Sequence, residues 1–158
     1  AAVVAWLPSA DLVNSIGIAT VFAALVLVTA LDWRRQRVLT KENAAVDVSA
    51  LPLMSMSDLV RRNGRDDPQV CCCLRGRIYD VSSSGNFAPG GPYAFLAGAD
   101  CTVGLSRMSY DRALVNRTDW GQLTDEEWSV VDGWVGYLDG KYKHIARLQE
   151  FEEWLSTS

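Results

Sequence analysis

The chain has 158 residues, a formal net charge of −4 and a single histidine, His144. An acidic chain whose lysines and arginines are mostly scattered argues against a nucleic-acid backbone as partner, and one histidine excludes a centre clamped between two histidines of this chain. The length suits one domain of ordinary size plus an extension.

The extension comes first. No charged residue lies between Asp11 and Asp32, and residues 12–31 are mostly Val, Ala, Leu and Ile, with Asn14, Ser15 and Gly17 near one end. About twenty residues rising about 1.5 Å each match the roughly 30 Å hydrocarbon core of a bilayer. Trp33 follows at interface depth, then Arg34, Arg35 and Arg37. A secretory signal peptide carries its positive charge before the apolar run, not after it. The pattern predicts a short segment 1–11 and a retained transmembrane helix over 12–33, in contact with membrane lipid. Positive flanks stay on the cytosolic or matrix side, so the rest of the chain is expected there, at the endoplasmic reticulum or the mitochondrial inner membrane. Gly17, Ala19, Ala23 and Ala24 offer close approach to other membrane helices.

Residues 34–54 read as a juxtamembrane linker, polar and alanine-rich over 38–52. Ser57 is expected to cap a short helix over 58–62, closed by Asn63 and Gly64. Asp66, Asp67 and Pro68 turn the chain into a strand over 69–74. That strand carries three of the four cysteines, Cys71, Cys72 and Cys73; the fourth is Cys101. Alternation along a strand puts Cys71 and Cys73 on one face. No Cys-x-x-Cys pair exists and the spacing offers no zinc site, so the thiols read as buried, reduced, small hydrophobes. Arg75 and Gly76 make a turn, residues 77–81 form a second strand, and 82–85 are loop.

Two prolines and two glycines then force a tight turn within residues 86–98. It delivers Tyr93 to the mouth of an apolar helical run over 93–96, which closes at Gly98. A strand, a turn presenting one aromatic, and a short helix can build the rim of a pocket; the same spacing also suits a tyrosine plugging the core beneath the turn. Asp100 is expected to cap a helix through Leu105, and residues 109–120 show weak helical periodicity. Thr124 and Glu127 form a capping box for a helix with Trp128, Val131, Val135 and Leu138 on one face. Trp134 lies beside that stripe, and both tryptophans read as packing residues. Gly140 ends the helix, and residues 141–146 lead into a last amphipathic helix with Leu148, Phe151 and Leu155.

Three blocks carry a resemblance: Gly76-Arg77-Ile78-Tyr79-Asp80-Val81, then Pro89-Gly90-Gly91-Pro92-Tyr93-Ala94-Phe95-Leu96-Ala97-Gly98, then Lys141-Tyr142-Lys143-His144. In order and spacing the chain resembles the cytochrome b5-like haem/steroid-binding domain, and more narrowly the membrane-associated progesterone receptor family. The resemblance implies an α+β fold, a cytochrome b5-like domain over 55–158 with a small sheet and short helices forming a pocket, here preceded by one transmembrane helix. It implies haem b held through Tyr93 as the only protein ligand to the metal, with Lys141 and Tyr142 beside that ligand and hydrogen-bonding around it. Residues 109–120 would be the insert that widens the pocket. A tyrosine ligand has precedent in catalase, and an anionic oxygen favours Fe(III), which suits haem carriage, sensing or regulation better than electron shuttling. Four positions depart from the family. Phe87 stands where a second tyrosine is common at the pocket rim, Ala99 and Val103 where arginines are common, and Gly140 where an aromatic is common. The implied function is a single-pass, membrane-anchored, haem-binding protein that supports or regulates partner membrane enzymes such as cytochromes P450. The alternative is a haem-free accessory subunit of a larger membrane complex, for example a mitochondrial respiratory assembly. No Ser-His-Asp set, metal-ligand cluster or phosphate loop points to an enzyme, and steroid binding rests on the family's name, since no residue identifies a sterol site.

Overall fold

The computed structural model of the chain describes residues 10–158, with side chains from residue 20 onward except position 22. It opens with helix α1, Ala10–Ala45. Among the described residues no helix is long and apolar enough to cross a membrane. The side chains of residues 12–19, the first part of the expected span, lie outside the described set, as does nearly all of the segment 1–11.

The helix also runs further than expected, through the first part of the linker to Ala45. Lys41, Glu42, Ala44 and Ala45 are strong helix formers, and Asn43 fastens this end to the domain. Asn43 is buried. Its amide donates to the carbonyls of Asp139 and Tyr142, both at 2.8 Å, and its oxygen accepts the His144 N–H at 3.0 Å. A short 3-10 turn, Val48–Ala50, then leads into the domain.

Five strands form the sheet: β1 Leu53–Met54, β2 Cys71–Leu74, β3 Arg77–Asp80, β4 Ala99–Asp100 and β5 Lys143–Leu148, in the order β1-β5-β3-β2-β4. β2 and β3 are an antiparallel hairpin whose two turn residues, Arg75 and Gly76, both have positive φ (51° and 71°), the backbone that matches strand twist in a two-residue loop. β4 and β1 add on in parallel, to β2 and β5 respectively, and β5 pairs antiparallel to β3.

The strand β5 corrects the sequence reading of a lead into a helix. His144, Ala146 and Leu148 are buried alternately, a period of two, and the edge of β3 supplies their partners. The last helix, α5 Gln149–Thr157, begins only afterwards and buries Phe151, while Leu155 is exposed.

The other helices are α2 Met56–Arg61, α3 Thr102–Ser106 and α4 Asp125–Asp139. α2 is capped by Ser55, not Ser57: the Ser55 hydroxyl accepts the Asp58 N–H at 3.1 Å. The Thr124–Glu127 capping box is present in full. Residues 109–120 form irregular loop with a 3-10 turn at Arg112–Leu114, because left-handed backbone at Met108 (φ 50°) and Asn116 (φ 59°) interrupts any longer helix.

The sheet separates two cores. Cys72, Leu74, Tyr79, Ala99 and Cys101 face Val131, Val135 and Leu138 of α4, together with Phe87 and Tyr142. On the other side Cys71, Cys73, Ile78, Ala146 and Leu148 pack with Leu59, Val103, Trp120 and Phe151. All four cysteines are free and buried. Asp139 ties the end of α4 to β3, accepting from Arg77 at 2.9 Å and from the Tyr79 hydroxyl at 2.8 Å.

One buried carboxyl gives the fold a pH signature. Asp100 is 1% exposed and accepts from the Trp120 indole at 2.9 Å and the Thr102 hydroxyl at 2.6 Å. Desolvation nevertheless pushes it from the ordinary 3.8 up to about 6. The folded state therefore holds a proton that the unfolded state releases, and this group's contribution to stability falls as pH rises from 3.8 to about 6. Asp100→Asn cannot ionise, and it keeps an acceptor oxygen for one of the two donors, the Trp120 indole and the Thr102 hydroxyl, which bind different carboxylate oxygens. Chemical denaturation across that window should show a flatter pH dependence in the variant; parallel curves would mean that Asp100 carries no such shift.

Candidate functional site

The loop between β3 and β4 is folded against itself. Gly91 N–H donates to the Ala88 carbonyl at 2.8 Å, and Tyr93 N–H donates to the Asn86 carbonyl at 2.9 Å. A Cβ on Gly91 would lie 2.4 Å from the Asn86 oxygen and 2.5 Å from that of Gly85, so only glycine lets the two arms approach. Tyr93 emerges from this closure at the start of a 3-10 turn, Ala94–Leu96. Gly98, with φ 71°, brings the chain back by donating to the Cys71 carbonyl at 2.7 Å.

Beside the loop lies a cavity of about 400 Å³, within the range of small-molecule and cofactor sites. Cys72, Leu74 and Cys101 of the sheet side line it, with Phe87, Leu96, Leu105 and Leu138. Cys73, Asn86, Tyr93, Tyr110, Trp134, Tyr137 and Tyr142 complete the lining, and among the described residues no charged side chain contributes to it. Tyr93 (36%), Tyr137 (49%) and Tyr110 (63%) are the exposed aromatic members and, with the exposed Asn86, mark the mouth.

Of the expected site residues, Tyr93, Phe87 and Tyr142 come together. The Phe87 ring stands 5.8 Å from that of Tyr93 and 5.9 Å, edge-on, from that of Tyr142. Tyr93 also stacks on Tyr110 at 6.5 Å with 14° between the planes. Among the described residues its phenolic oxygen takes no hydrogen-bond partner. Lys141 stands apart. It lines a separate cleft with Asp32, Arg35 and Gln36 of α1, and its ammonium donates to the Tyr137 hydroxyl at 2.8 Å, a bond that raises its pKa. Lys141 therefore reaches the cavity through Tyr137, not through Tyr93.

The departures from the family acquire places too. Ala99 and Val103 are 3% and 1% exposed, so both fill core and neither sits at the cavity mouth. Gly140 lies under α1, where a Cβ would come 3.3 Å from the Thr40 hydroxyl; the small residue admits the helix. His144 is buried in β5, its ring 5.6 Å from that of Tyr79 and its Nε2 2.9 Å from the Ala146 carbonyl. Its Nδ1 has no partner, and burial lowers its pKa, which keeps the ring neutral with the proton on Nε2. It is not part of the cavity lining.

Four of the lining residues, Trp134, Tyr137, Leu138 and Tyr110, were not read as site residues from the sequence. Trp134 is not simple packing, and Tyr137 and Leu138 join it at i+3 and i+4 on α4, a spacing that marks a shared face. Tyr110 sits in irregular loop and gave no periodic signal.

The donor set narrows what the cavity can hold. Burial pushes the Cys72 and Cys101 thiols well up, so the sulfur atoms stay protonated and poor as ligands. Among the described residues no group of three His, Cys, Asp or Glu side chains could hold a metal ion. What remains is an apolar, aromatic-lined space with the unpartnered phenols of Tyr93 and Tyr110 at its mouth, and this fits a flat apolar macrocycle whose central metal accepts an oxygen donor; of the two, Tyr93 is the one presented by the closed loop.

Comparison with known proteins agrees with this chemistry. The family described as the cytochrome b5-like heme/steroid binding domain matches residues 55–142. A cytochrome P450 regulator of Schizosaccharomyces pombe is 30% identical over 99 residues, covering 58% of this chain and 60% of that protein. Membrane-associated progesterone receptor component 2 of Rattus norvegicus is 28% identical over 140 residues, covering 79% of this chain and 64% of that protein. The chain thus spans less than two thirds of the length of either relative. Among solved structures, an Arabidopsis thaliana protein described as having a cytochrome b5 like fold superposes with a TM-score of 0.56 at 26% identity, over 62% of this chain and 91% of that one.

The loop closure makes two adjacent glycines unequal. Gly90 has φ 89° with nothing within 4 Å of a Cβ, so Gly90→Ala should cost only backbone strain of about 1–2 kcal/mol. Gly91→Ala forces the Asn86 and Gly85 carbonyls away and should cost about 3 kcal/mol. Thermal melts of the two variants should rank them in that order; equal losses would show that the closure does not depend on Gly91.

Proposed function

The chain belongs to the cytochrome b5-like haem/steroid-binding domain family, which matches residues 55–142, in its membrane-associated progesterone receptor branch, and on that premise we propose a membrane-anchored haem-binding protein that regulates partner enzymes without catalysing a reaction. The observation that carries this reading is the apolar cavity of about 400 Å³ with the phenol of Tyr93 unpartnered at its mouth. Haem would supply a ferric centre there. Tyr93 would hold it as phenolate, Phe87, Trp134 and Tyr142 would flank the ring, and Tyr137, held by Lys141, would stand at the mouth.

Membrane anchoring rests on α1. Leu25, Val26, Leu27 and Val28 are consecutive, so they point to all sides of the helix, and all are exposed; apolar residues all round suit a span, not a surface helix. The sequence continues the uncharged run back to Leu12. Arg34, Arg35 and Arg37 follow it, and Arg37 lies 3.7 Å over the Trp33 ring; that flank favours a cytosolic or matrix-side domain. The relative named as a cytochrome P450 regulator supports an enzyme of that type as partner.

The second reading, a haem-free accessory subunit of a membrane complex, draws on one feature: among the described residues no cation lines the cavity to meet a propionate. Haemin titration of the full chain separates the two. The wild type should develop a saturable Soret band, Tyr93→Phe should lose most of it while remaining folded, and His144→Ala should keep it. No band in any of the three would leave the haem-free reading. A band that needs His144 and ignores Tyr93 would overturn the ligand assignment.

A further inference from the structure

We propose that the mouth of the cavity rests on the surface of the bilayer that α1 crosses, so that the cavity opens toward lipid and not toward bulk water. The inference builds on the membrane-anchor reading above. It is carried by how α1 is fixed against the domain.

The helix is clamped at its C-terminal end, where the buried Asn43 binds the backbone of Asp139, Tyr142 and His144. From there it runs along the domain wall. Thr40 and Gln36 pass beside Gly140, and Trp33, nearly three turns from the Asn43 clamp, lines the same cleft as Tyr137. Tyr137 is also part of the cavity lining and half-exposed. The helix therefore reaches the level of the mouth at Trp33. The apolar run begins at Leu31, about 3 Å further along the axis. A bilayer placed on that run has its surface at Trp33, and hence at Tyr137.

The mouth has the surface such a position calls for. Tyr110 and Met108 are each 63% exposed, beside the half-exposed Tyr93 and Tyr137. Tyrosine and tryptophan sit well at the headgroup level, with the ring in apolar surroundings and the polar atom wet. The exposed Arg34, Arg35 and Arg37 meet anionic headgroups at the same depth. Charge of the opposite sign is present in Asp32 on α1 and in Asp111 after Tyr110, and Asp111 is occupied in accepting the Ala113 N–H at 2.9 Å. An apolar ligand dissolved in the membrane would pass between lipid and cavity without crossing water.

The test uses the full chain in nanodiscs of phosphatidylcholine and phosphatidylserine, with one nitroxide introduced at a time through Leu27→Cys, Tyr110→Cys or Glu153→Cys. The four native cysteines are buried, and Glu153 lies on α5, across the sheet from the cavity. Power saturation compares collisions with oxygen, which concentrates in lipid, and with a water-soluble nickel chelate. We expect the label at 27 to report bilayer depth. The label at 110 should shift toward oxygen relative to the label at 153. If 27 is deep and 110 is as wet as 153, the anchor stands and this inference fails. If 27 is also wet, the anchor reading fails and takes the inference with it. Protection at 110 that tracks protein density in the disc, and not lipid, would assign the mouth to a second copy and overturn the proposal.

Discussion

The hydrogen bond from the Tyr93 amide to the Asn86 carbonyl, at 2.9 Å, closes the loop on which the site depends. One such bond contributes about 1 kcal/mol net, too little to hold a loop alone. Its effect comes from what it is coupled to. Gly91 removes the Cβ that would collide with the same carbonyl, and Phe87, inside the loop, packs in the core at 7% exposure. With Phe87 anchored and Gly91 bare, the chain has one way to leave the loop, and Tyr93 stands at the cavity mouth as a result. A phenylalanine at 87 thus gives up a polar atom at the rim and gains a hydrophobic anchor for the loop that presents Tyr93.

A second constraint joins this site to the N-terminal helix. Asn43 places three hydrogen-bonding contacts on backbone groups at the junction of α4 and β5, and breaking them would strand buried polar atoms. Gly140 lets α1 lie close enough for Thr40 to touch it. Tyr137 and Lys141 then lie between α1 and the cavity. The helix and the cavity mouth therefore share Tyr137 and Lys141 as neighbours.

Much of this was legible in the chain itself. The capping box at Thr124, the alternation of Cys71 and Cys73 against Cys72, and the turn that presents Tyr93 are local features, and local chemistry decides them. β5 was missed although His144, Ala146 and Leu148 alternate, because six residues between a glycine and an amphipathic helix look like a lead-in until a partner strand supplies the missing edge. The helical reach to Ala45 was missed for a related reason: Asn43 is neutral in a helix by propensity, and its three partners lie about a hundred residues away. Tyr110 could not be found from pattern, since irregular loop has no period. Lys141 was placed beside Tyr93 by resemblance, yet the Tyr137 hydroxyl one turn earlier on the chain takes its proton donor.

The central claim is that the phenol of Tyr93 is the atom the cavity offers to a haem iron. Resonance Raman spectroscopy of the haemin-loaded chain, excited in the phenolate-to-iron charge-transfer region, tests it most directly. The account predicts phenolate ring modes that vanish in Tyr93→Phe and survive in His144→Ala. Haem bound without phenolate modes, or with modes that persist in Tyr93→Phe, would contradict it.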